Sequence, residues 1–212
     1  MHKKLGREFF TQPTLKVAQE ILGKFLVHEY NGQKISGKIV EVEAYIGKDD
    51  KASHAFGGKK TQRNLAEYLI GGHVYIYLVY GIHWQFNIST FLTDQPECIL
   101  LRALEPVLES GLEIEDGQYE KKSGSRIKYG MTELKKIASG PGKLCRFMHL
   151  DKSFYGYDLC QRSGKLYLED RGIKIRQAQI MKGPRIGIDY AGPYWSKVPW
   201  RFWLKDNMYV SR

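Results

Sequence analysis

The sequence predicts an α+β fold in which residues 1–212 form one domain. Three observations lead to this class. The length of 212 residues is typical of one domain, turn signals separate many short runs with strand-like alternation, and helical patterns are confined to a few segments. We therefore expect a curved antiparallel sheet, partly open and barrel-like, with flanking helices and a protruding β-hairpin.

The first part of the chain is predicted to form a helix and then a pair of strands. Residues 10–23 carry a helical stripe of apolar side chains, with a proline suited to the first turn and a glycine suited to the helix end. Strand-like runs follow at residues 24–30 and 34–46. The pair Asn31-Gly32 between them is a strong signal for a tight hairpin turn.

The middle of the chain is predicted to be a loop followed by three strands. Residues 47–64 are polar and contain glycines, which indicates a loop. Strand-like runs follow at residues 73–80, 82–89 and 97–103. The first two of these runs make up the expected protruding hairpin.

The tip of this hairpin decides which side chains share a face. A tip of odd length centred on Gly81 pairs Tyr77 with Gln85 and Tyr75 with Asn87, and it places all four side chains together. A tip of even length separates them. The strand pattern by itself leaves both registers open.

The C-terminal half is predicted to contain an excursion, two helices and further strands. Residues 109–125 are acidic, then basic, and rich in Gly and Ser, which indicates a surface excursion rather than a linker between domains. Short helices are expected near residues 132–137 and 140–150. The last expected strand is RFWL, at Arg201–Leu204.

The charge balance points to a polyanionic partner. Lys and Arg number 33 against 23 Asp and Glu, which gives a formal net charge of +10. An excess of this size is typical of nucleic-acid-binding proteins. A basic protein without such a partner is the alternative that charge alone leaves open.

Composition also argues against several other classes. The cysteines (Cys98, Cys145 and Cys160) are dispersed, which predicts neither a disulfide framework nor a zinc site and fits a reducing cytoplasm. The N-terminal residues MHKKLGREFF lack the apolar core of a signal peptide. Residues 68–93 carry no Asp, Glu, Lys or Arg, but their apolar residues alternate as in a strand, so we expect no membrane span.

A pair of acids on one predicted strand is the first candidate for chemistry. Period-two alternation in GKIVEVEAYIG places Glu41, Glu43 and Tyr45 on one face, opposite an aliphatic face. A solvated outer face is the simplest interpretation, since exposed acids are common. A sugar hydrolase with paired carboxylates is another, and the spacing alone does not separate them.

Two further segments suit contact with nucleic acid. The loop KKTQRN, which begins at Lys59 after two glycines, carries three positive charges that suit a phosphate backbone or an ordinary solvated loop. In the hairpin, Tyr75 and Tyr77 share a strand face, where tyrosines usually serve packing. Tyr80 lies where the chain reverses, and a tyrosine there suits a wedge between stacked bases.

Several ordered blocks of the sequence together carry a family resemblance. They are IVEVEAYIGKDDKASHAFGGKKTQRN, VYIYLVYGIHWQFNIS, CILLRALEP, SGPGKLC and RIGID. They resemble the alkyladenine (3-methyladenine) DNA glycosylase family over nearly the whole chain. The resemblance implies a monofunctional enzyme of base excision repair, which flips alkylated or deaminated purines out of duplex DNA and hydrolyses the N-glycosidic bond.

The resemblance also implies roles for particular residues. Glu43 would be the general base that activates water, Arg102 would hold that water, and the backbone carbonyl of Ile186 would be its third contact. The resemblance further implies that Tyr45, His54 and Tyr77 form stacking walls around the flipped base and that Asn87 forms a pocket floor that clashes with the amino group of guanine. Tyr80 would be the wedge that intercalates into DNA, and Lys152 would contact the DNA backbone. We add Lys59 of the charged loop as a second backbone contact.

The physics of the reaction agrees with this set of residues. Extruding a base costs a few kcal/mol, less for a damaged one, and tyrosine faces attract cationic alkylated purines. We expect no metal or cofactor, a double-stranded DNA partner with damaged purines, no obligatory protein partner, and a bacterial, cytoplasmic location near the nucleoid. A non-catalytic nucleic-acid binder of the same fold is the main alternative, and a carbohydrate hydrolase using Glu41 and Glu43 is the third.

Overall fold

Nine antiparallel strands form the main sheet of the computed structural model, which describes residues 2–107, 113–115, 118–120 and 137–211. Their bounds are β1 Lys3–Lys4, β2 Phe25–Tyr30, β3 Gln33–Ile46, β4 Val74–Val79, β5 His83–Ser89, β6 Glu97–Val107, β9 Leu166–Asp170, β10 Ile180–Gly183 and β11 Arg201–Leu204. The spatial order of seven of them is β1-β9-β2-β3-β6-β5-β4, while β11 pairs with both β3 and β10.

The path of the sheet has two free ends, β1 and β4, so the sheet is not closed into a barrel. Four short α-helices accompany it in the described part of the chain: α1 Arg7–Phe10, α2 Thr14–Glu20, α3 Pro141–Phe147 and α4 Gly192–Trp195. The predicted α+β class with an open antiparallel sheet is confirmed. No helix among the described residues is long and apolar enough to cross a membrane.

The hydrophobic core lies between the sheet and two of these helices. Helix α2 packs on β3 and β6, while α3 packs on β5 and β6. Fully buried side chains from all of these elements form one cluster, which includes Val17 of α2, Val42 of β3, Phe86 of β5 and Phe147 of α3. The middle strands of the sheet pack on this core, and the candidate site is built on those strands.

Two predicted helices have different bounds from those expected. The helix expected at residues 10–23 extends only over α2, Thr14–Glu20, because Pro13 before it has an extended ψ of 131°, and α1 is a separate helix that ends at Phe10. Gly23, with φ of +83°, lies in the left-handed region that ends such a segment. The helix expected at residues 140–150 extends only over Pro141–Phe147.

Some predictions lie largely outside the described residues. The helix expected at residues 132–137 falls there except for its last residue, and so does most of the excursion at residues 109–125. Within that excursion the structure describes the backbone of a small separate hairpin. Its antiparallel strands are β7, Glu113–Glu115, and β8, Gln118–Glu120.

The β4–β5 hairpin has the register of the odd-length tip. Tyr75 lies opposite Asn87 and Tyr77 opposite Gln85, and the last pair before the tip is Val79 with His83. Strand β6 pairs with β5 only at residues 87–89 in the described part of the chain, so the outer half of the hairpin extends beyond the sheet. The predicted protrusion is confirmed, and of the two registers that the sequence left open the structure has the one that places the four side chains on one face.

Strand β3 is the longest strand, and it is irregular where the acids lie. It pairs with β6 along one edge, and its other edge pairs first with β2 and then with β11. The register against β6 shifts between Ile39 and Val42, which marks a β-bulge. A bulge re-aims the side chains beside it, and here it precedes Glu43.

Candidate active site

The two acids of β3 are completely buried. Glu41 and Glu43 are 0% exposed, and the side chain of Arg102 from β6 bonds to both. Arg102 Nε lies 3.0 Å from Glu41 Oε1, and Arg102 Nη1 lies 3.2 Å from Glu43 Oε1. The interpretation of this face as a solvated outer surface is therefore wrong.

Glu43 receives hydrogen bonds on both carboxylate oxygens. The backbone N–H of Ile186 donates to Oε1 at 2.7 Å, and the Tyr45 hydroxyl donates to Oε2 at 2.9 Å. Burial raises the pKa of Glu43, while Arg102, the Ile186 amide and Tyr45 oppose that rise because each favours the charged form. A raised pKa suits a general base that works near neutral pH.

Glu41 has a different set of partners, which keep it away from open space. Its Oε1 bonds to Arg102 and to Arg201 Nη1, the latter at 3.2 Å, and its Oε2 accepts from the backbone N–H of Ser211 at 2.6 Å. A paired-acid hydrolase needs both carboxyl groups facing one substrate. With Arg102 bonded to both acids and Glu41 held by the C-terminal segment, the structure disfavours that arrangement.

A second buried ion pair holds the loop that contacts Glu43. Arg185 Nη1 and Nη2 lie 2.5 Å and 2.9 Å from the two carboxylate oxygens of Asp50, and both side chains are 0% exposed. Nη1 also donates to the carbonyl of Ala44 on β3 at 3.0 Å. This anchor places the next residue, Ile186, against Glu43.

An open cleft of about 490 Å³ lies beside Glu43. Tyr45 and Arg102, whose side chains bond to Glu43, line this cleft, and so does Ile186. The cleft also extends along the hairpin to its tip. Predicted site residues on its wall are Tyr45, His54, Tyr77, Tyr80, Arg102 and Ile186. The structure therefore brings together most of the residues that the sequence singled out.

The aromatic residues of the cleft contact one another. The rings of His54 and Tyr77 meet edge to face with centroids 4.8 Å apart, and His54 Nδ1 is 2.6 Å from the Tyr75 hydroxyl. Burial and the nearby positive charge of Arg63 lower the pKa of His54 to about 4. His54 is thus neutral at physiological pH and serves as an uncharged ring, and a purine placed between it and Tyr77 requires the rings to separate.

Asn87 lies deeper than the open cleft. It is 1% exposed and lines an inner cavity of about 30 Å³, where its neighbours include His54, Tyr75 and Glu67. Such a cavity has room for about one or two water molecules and is smaller than a purine. Asn87 is therefore at the closed end of the aromatic site, below the side chains that line the cleft.

The hairpin tip exposes two large apolar side chains. Tyr80 is 90% exposed and Ile82 is 70% exposed. Tyr80 has φ of +53° and Gly81 has φ of +73°, so the turn uses left-handed backbone at consecutive residues. A bulky residue rarely adopts that conformation, so the turn holds Tyr80 in an unfavourable backbone region while its side chain faces solvent.

The basic residues predicted to touch DNA lie on the exposed surface of the protein. Lys59 and Lys152 are both exposed. Lys152 lines a groove of about 680 Å³, which Arg63 and Tyr77 also line. The Arg63 guanidinium lies over the Tyr77 ring at 4.8 Å and also lines the cleft. Positive charge thus borders both the cleft and the groove.

Metal ligands are not clustered in the described part of the chain. No group of three or more His, Cys, Asp or Glu side chains there is arranged to hold a metal ion. The three cysteines are free thiols, with Cys98 and Cys145 buried.

Sequence reasoning missed several residues that the structure places at the site. Asp50 and Arg185 both fall inside the quoted motif blocks, so their membership of those blocks was an available signal. Ile82 follows the hairpin glycine and could have been grouped with Tyr80. Glu67 carries no local signal, because its segment LAEY resembles an ordinary surface turn.

Residues 8–208 match the family model described as methylpurine-DNA glycosylase (MPG). The chain therefore belongs to the methylpurine-DNA glycosylase family, and the family predicted from the sequence motifs is confirmed.

Bacterial relatives are similar over almost the full length of the chain. A protein of Desulfitobacterium hafniense (strain Y51) is 44% identical over 209 residues, covering 99% of this chain and 98% of the relative. A protein of Clostridium novyi (strain NT) is 42% identical over 210 residues, covering 99% of both chains. Both carry the name "Putative 3-methyladenine DNA glycosylase".

Proposed function

We propose that this protein is a monofunctional DNA glycosylase of base excision repair. Its substrates are alkylated or deaminated purines in duplex DNA, and its reaction is hydrolysis of the N-glycosidic bond by a water that Glu43 activates. The observation that carries the proposal is the position of Glu43, which is buried, bonded to Arg102 and the Ile186 amide, and next to an aromatic cleft.

The reaction assigns one role to each of three groups. Water attacks C1′ of the deoxyribose, its proton passes to the Glu43 carboxylate, and the bond between C1′ and the base nitrogen breaks with both electrons staying on the base. A neutral purine such as hypoxanthine takes up a proton from a general acid as it leaves, and the product is an abasic site. Arg102 and the carbonyl of Ile186 hold that water at the wall of the cleft. The negative charge of Glu43 also stabilises the oxocarbenium-like sugar that forms as the base departs.

The aromatic wall suits purines that carry a positive charge. Alkylation at N3 or N7 makes the base cationic, and electron-rich rings attract a cation by about 0.5–2 kcal/mol. Tyr45 and Tyr77 supply such rings. A cationic base also leaves as a neutral molecule without being protonated, so Glu43 and water are sufficient for its release.

The hairpin tip and the surrounding cations suit a flipped-out nucleotide. An exposed Tyr80 can enter the base stack and occupy the gap that extrusion leaves. Lys59 and Lys152 can neutralise backbone phosphates on either side. No lysine is among the described residues that line the cleft, which supports hydrolysis by water rather than by a Schiff-base intermediate.

Release of damaged bases from defined duplexes tests the proposal. Duplexes that contain 7-methylguanine, hypoxanthine or 1,N6-ethenoadenine are incubated with the protein, and abasic sites are then cleaved by alkali. We expect cleavage at the lesion of at least one duplex and no covalent adduct after borohydride reduction. Intact DNA in every case overturns the proposal, and a trapped adduct overturns the monofunctional mechanism.

Tyr80→Ala is expected to weaken base release from duplex DNA. Stacking of an aromatic side chain on bases is worth about 1–3 kcal/mol, so kcat/KM is expected to fall about 5- to 150-fold. Tyr80→Phe keeps the ring, so its kcat/KM is expected to remain near that of the unaltered protein. The measurement is single-turnover release from a duplex.

Tyr194→Ala is the matched control for this change, because Tyr194 is 72% exposed and does not line the cleft. The melting temperatures of both variants should stay close to that of the unaltered protein, since each side chain is mostly exposed. An equal loss of activity in the two variants would show that Tyr80 is not the wedge.

A further inference from the structure

Glu67 is a buried acid that the proposed reaction does not use. It lies in the 3-10 turn Leu65–Tyr68, is 2% exposed, and lines the inner cavity beneath the aromatic cleft. Its Oε2 atom has no hydrogen-bond partner among the described residues. A buried polar atom without a partner is costly, and this one borders the cavity into which a flipped base would extend.

The protonation state of Glu67 follows from its surroundings. Burial raises the pKa of Glu67 to about 8, although Cys98, Asn64 and Arg63 oppose the rise. The Cys98 thiol, whose own pKa burial raises far above the usual range, donates to Oε1 at 3.5 Å. At neutral pH the acid is therefore mostly uncharged, and its proton belongs on Oε2, the oxygen that has no partner.

Asn87 supplies the complementary group in the same cavity. Its Nδ2 donates to the backbone carbonyls of Tyr75 at 3.1 Å and Gln85 at 3.2 Å, which fixes the amide orientation. Its Oδ1 therefore remains an acceptor, with the Cys98 sulfur 4.0 Å away. The closed end of the site thus offers one donor, Glu67, and one acceptor, Asn87.

We propose that Glu67 is a specificity-determining residue, whose neutral carboxyl donates a hydrogen bond to an acceptor on the inner edge of a flipped purine. The proposal rests on the glycosylase function proposed above and deepens it. Hypoxanthine presents a carbonyl acceptor next to an N–H donor, and this pair matches Glu67 and Asn87. A site that holds a neutral carboxylic acid as a donor rejects bases that lack the acceptor, because its buried group is then unpaired.

Ionisation of Glu67 reverses this preference. A buried carboxylate can only accept hydrogen bonds, so it repels the carbonyl of hypoxanthine and attracts a cationic base with an amino group, such as 3-methyladenine. Selectivity between a neutral 6-oxo purine and a cationic 6-amino purine therefore becomes dependent on pH around 8.

The neighbours of Glu67 do not mask its titration. Burial keeps the phenols and the thiol beside it protonated, and it keeps His54 neutral. Arg63 contributes a positive charge and Asp50 a negative one. The titratable and charged groups that face Glu67 or its cavity are Asp50, His54, Arg63, Tyr45, Tyr68, Tyr75, Tyr77, Cys98, Tyr155 and Tyr190.

The test compares two lesions, with Glu67→Gln as the key variant. Glutamine keeps an N–H donor at every pH, so it removes the titration but not the donor. Between pH 7 and pH 9 the neutral fraction of an acid with a pKa near 8 falls about tenfold. On a duplex that contains hypoxanthine, we expect kcat/KM of the unaltered protein, divided by that of Glu67→Gln, to fall about tenfold over this range. We expect no such fall in this ratio for release of 3-methyladenine from methylated DNA.

Two further measurements separate specificity from a structural role. Glu67→Met fills the same space without a donor, and it is expected to reduce release of hypoxanthine about tenfold relative to 3-methyladenine at pH 7. In thermal unfolding, a raised pKa in the folded state makes an acid destabilising above its unfolded pKa of 4.5. Glu67→Gln should therefore gain stability over the unaltered protein between pH 5 and pH 8.5.

The outcomes distinguish this inference from the function on which it rests. If both lesions are released and the pH profiles of the unaltered protein and Glu67→Gln coincide, the inference is overturned while the glycosylase function stands. The same holds if Glu67→Met releases the two lesions in the original ratio. If no protein releases either base, the glycosylase function itself is overturned.

Discussion

Glu43→Gln is expected to reduce base release by about 100- to 10,000-fold, the usual contribution of a general base. Glutamine has the shape of glutamate and can still accept the Ile186 N–H, but it cannot take a proton from water. The measurement is single-turnover release of 7-methylguanine or hypoxanthine from duplex DNA. Binding of the same variant to a duplex with a stable abasic-site analogue, followed by fluorescence anisotropy, should stay within a few-fold of the unaltered protein.

Glu41→Gln is the matched control for this experiment. It removes the same charge from the same buried strand, and Glu41 bonds to the same guanidinium as Glu43 does. We expect Glu41→Gln to lower thermal stability, because Arg102 and Arg201 lose the negative charge that they share. We expect it to retain much more base release than Glu43→Gln in the folded protein. Equal activity in the two variants would contradict the role of Glu43.

The same pair of variants decides between the enzyme and the main alternative. A non-catalytic nucleic-acid binder would bind lesion-containing duplex before and after Glu43→Gln and would release no base in either form. The structure favours the enzyme, since the acid is buried beside an open cleft and bonded to an arginine that lines it. A carboxylate in that position costs free energy to bury and has no evident role in simple DNA binding.

Asp50→Asn is expected to lower the free energy of unfolding by about 3–5 kcal/mol, because it leaves the buried guanidinium of Arg185 without a counter-ion. For a chain of this size such a loss lowers the melting temperature by on the order of 10 °C. The measurement is thermal or urea unfolding. Base release should fall too, even below the unfolding transition, because Arg185 holds the Ile186 amide against Glu43.

An exposed ion pair supplies the control for Asp50→Asn. Lys60 Nζ lies 2.9 Å from Asp94 Oδ1, with side chains 51% and 69% exposed. Asp94→Asn should lower the free energy of unfolding by less than about 1 kcal/mol, because exposed ion pairs usually contribute little to stability. Asp94 also has a left-handed φ of +62° that asparagine tolerates. If the two variants unfold at the same temperature, the buried pair does not hold this loop.

The hairpin shows what local sequence can predict. Strand faces follow from alternation, and the tip around Gly81 limited the register to two possibilities, of which the structure has the odd one. The shared face of Tyr75 and Tyr77 followed from alternation alone, whereas the structure was needed to place Asn87 on that face. Local patterns are sufficient for such features because the side-chain period of a strand is short.

The surroundings of Glu43 show where local sequence is insufficient. Alternation placed Glu41 and Glu43 on one face, but it did not show whether that face was covered. The cover comes from Ile186 and Ser211, which are distant in sequence and bond to Glu43 and Glu41. Burial of an acid depends on such long-range packing, and the rise in the pKa of Glu43 depends on burial in turn.

The sequence by itself determined the α+β class, the strand faces, the exposed aromatic tip and, through its motif blocks, the family. These properties depend on short-range periodicity and on ordered residue types, which are visible without coordinates. Only the tertiary structure decided that Asp50 pairs with Arg185, that Arg102 bonds to both acids of β3, and that Glu67 faces the inner cavity. Those facts depend on which distant segments exclude water from a charged group, and desolvation is a property of the packed protein.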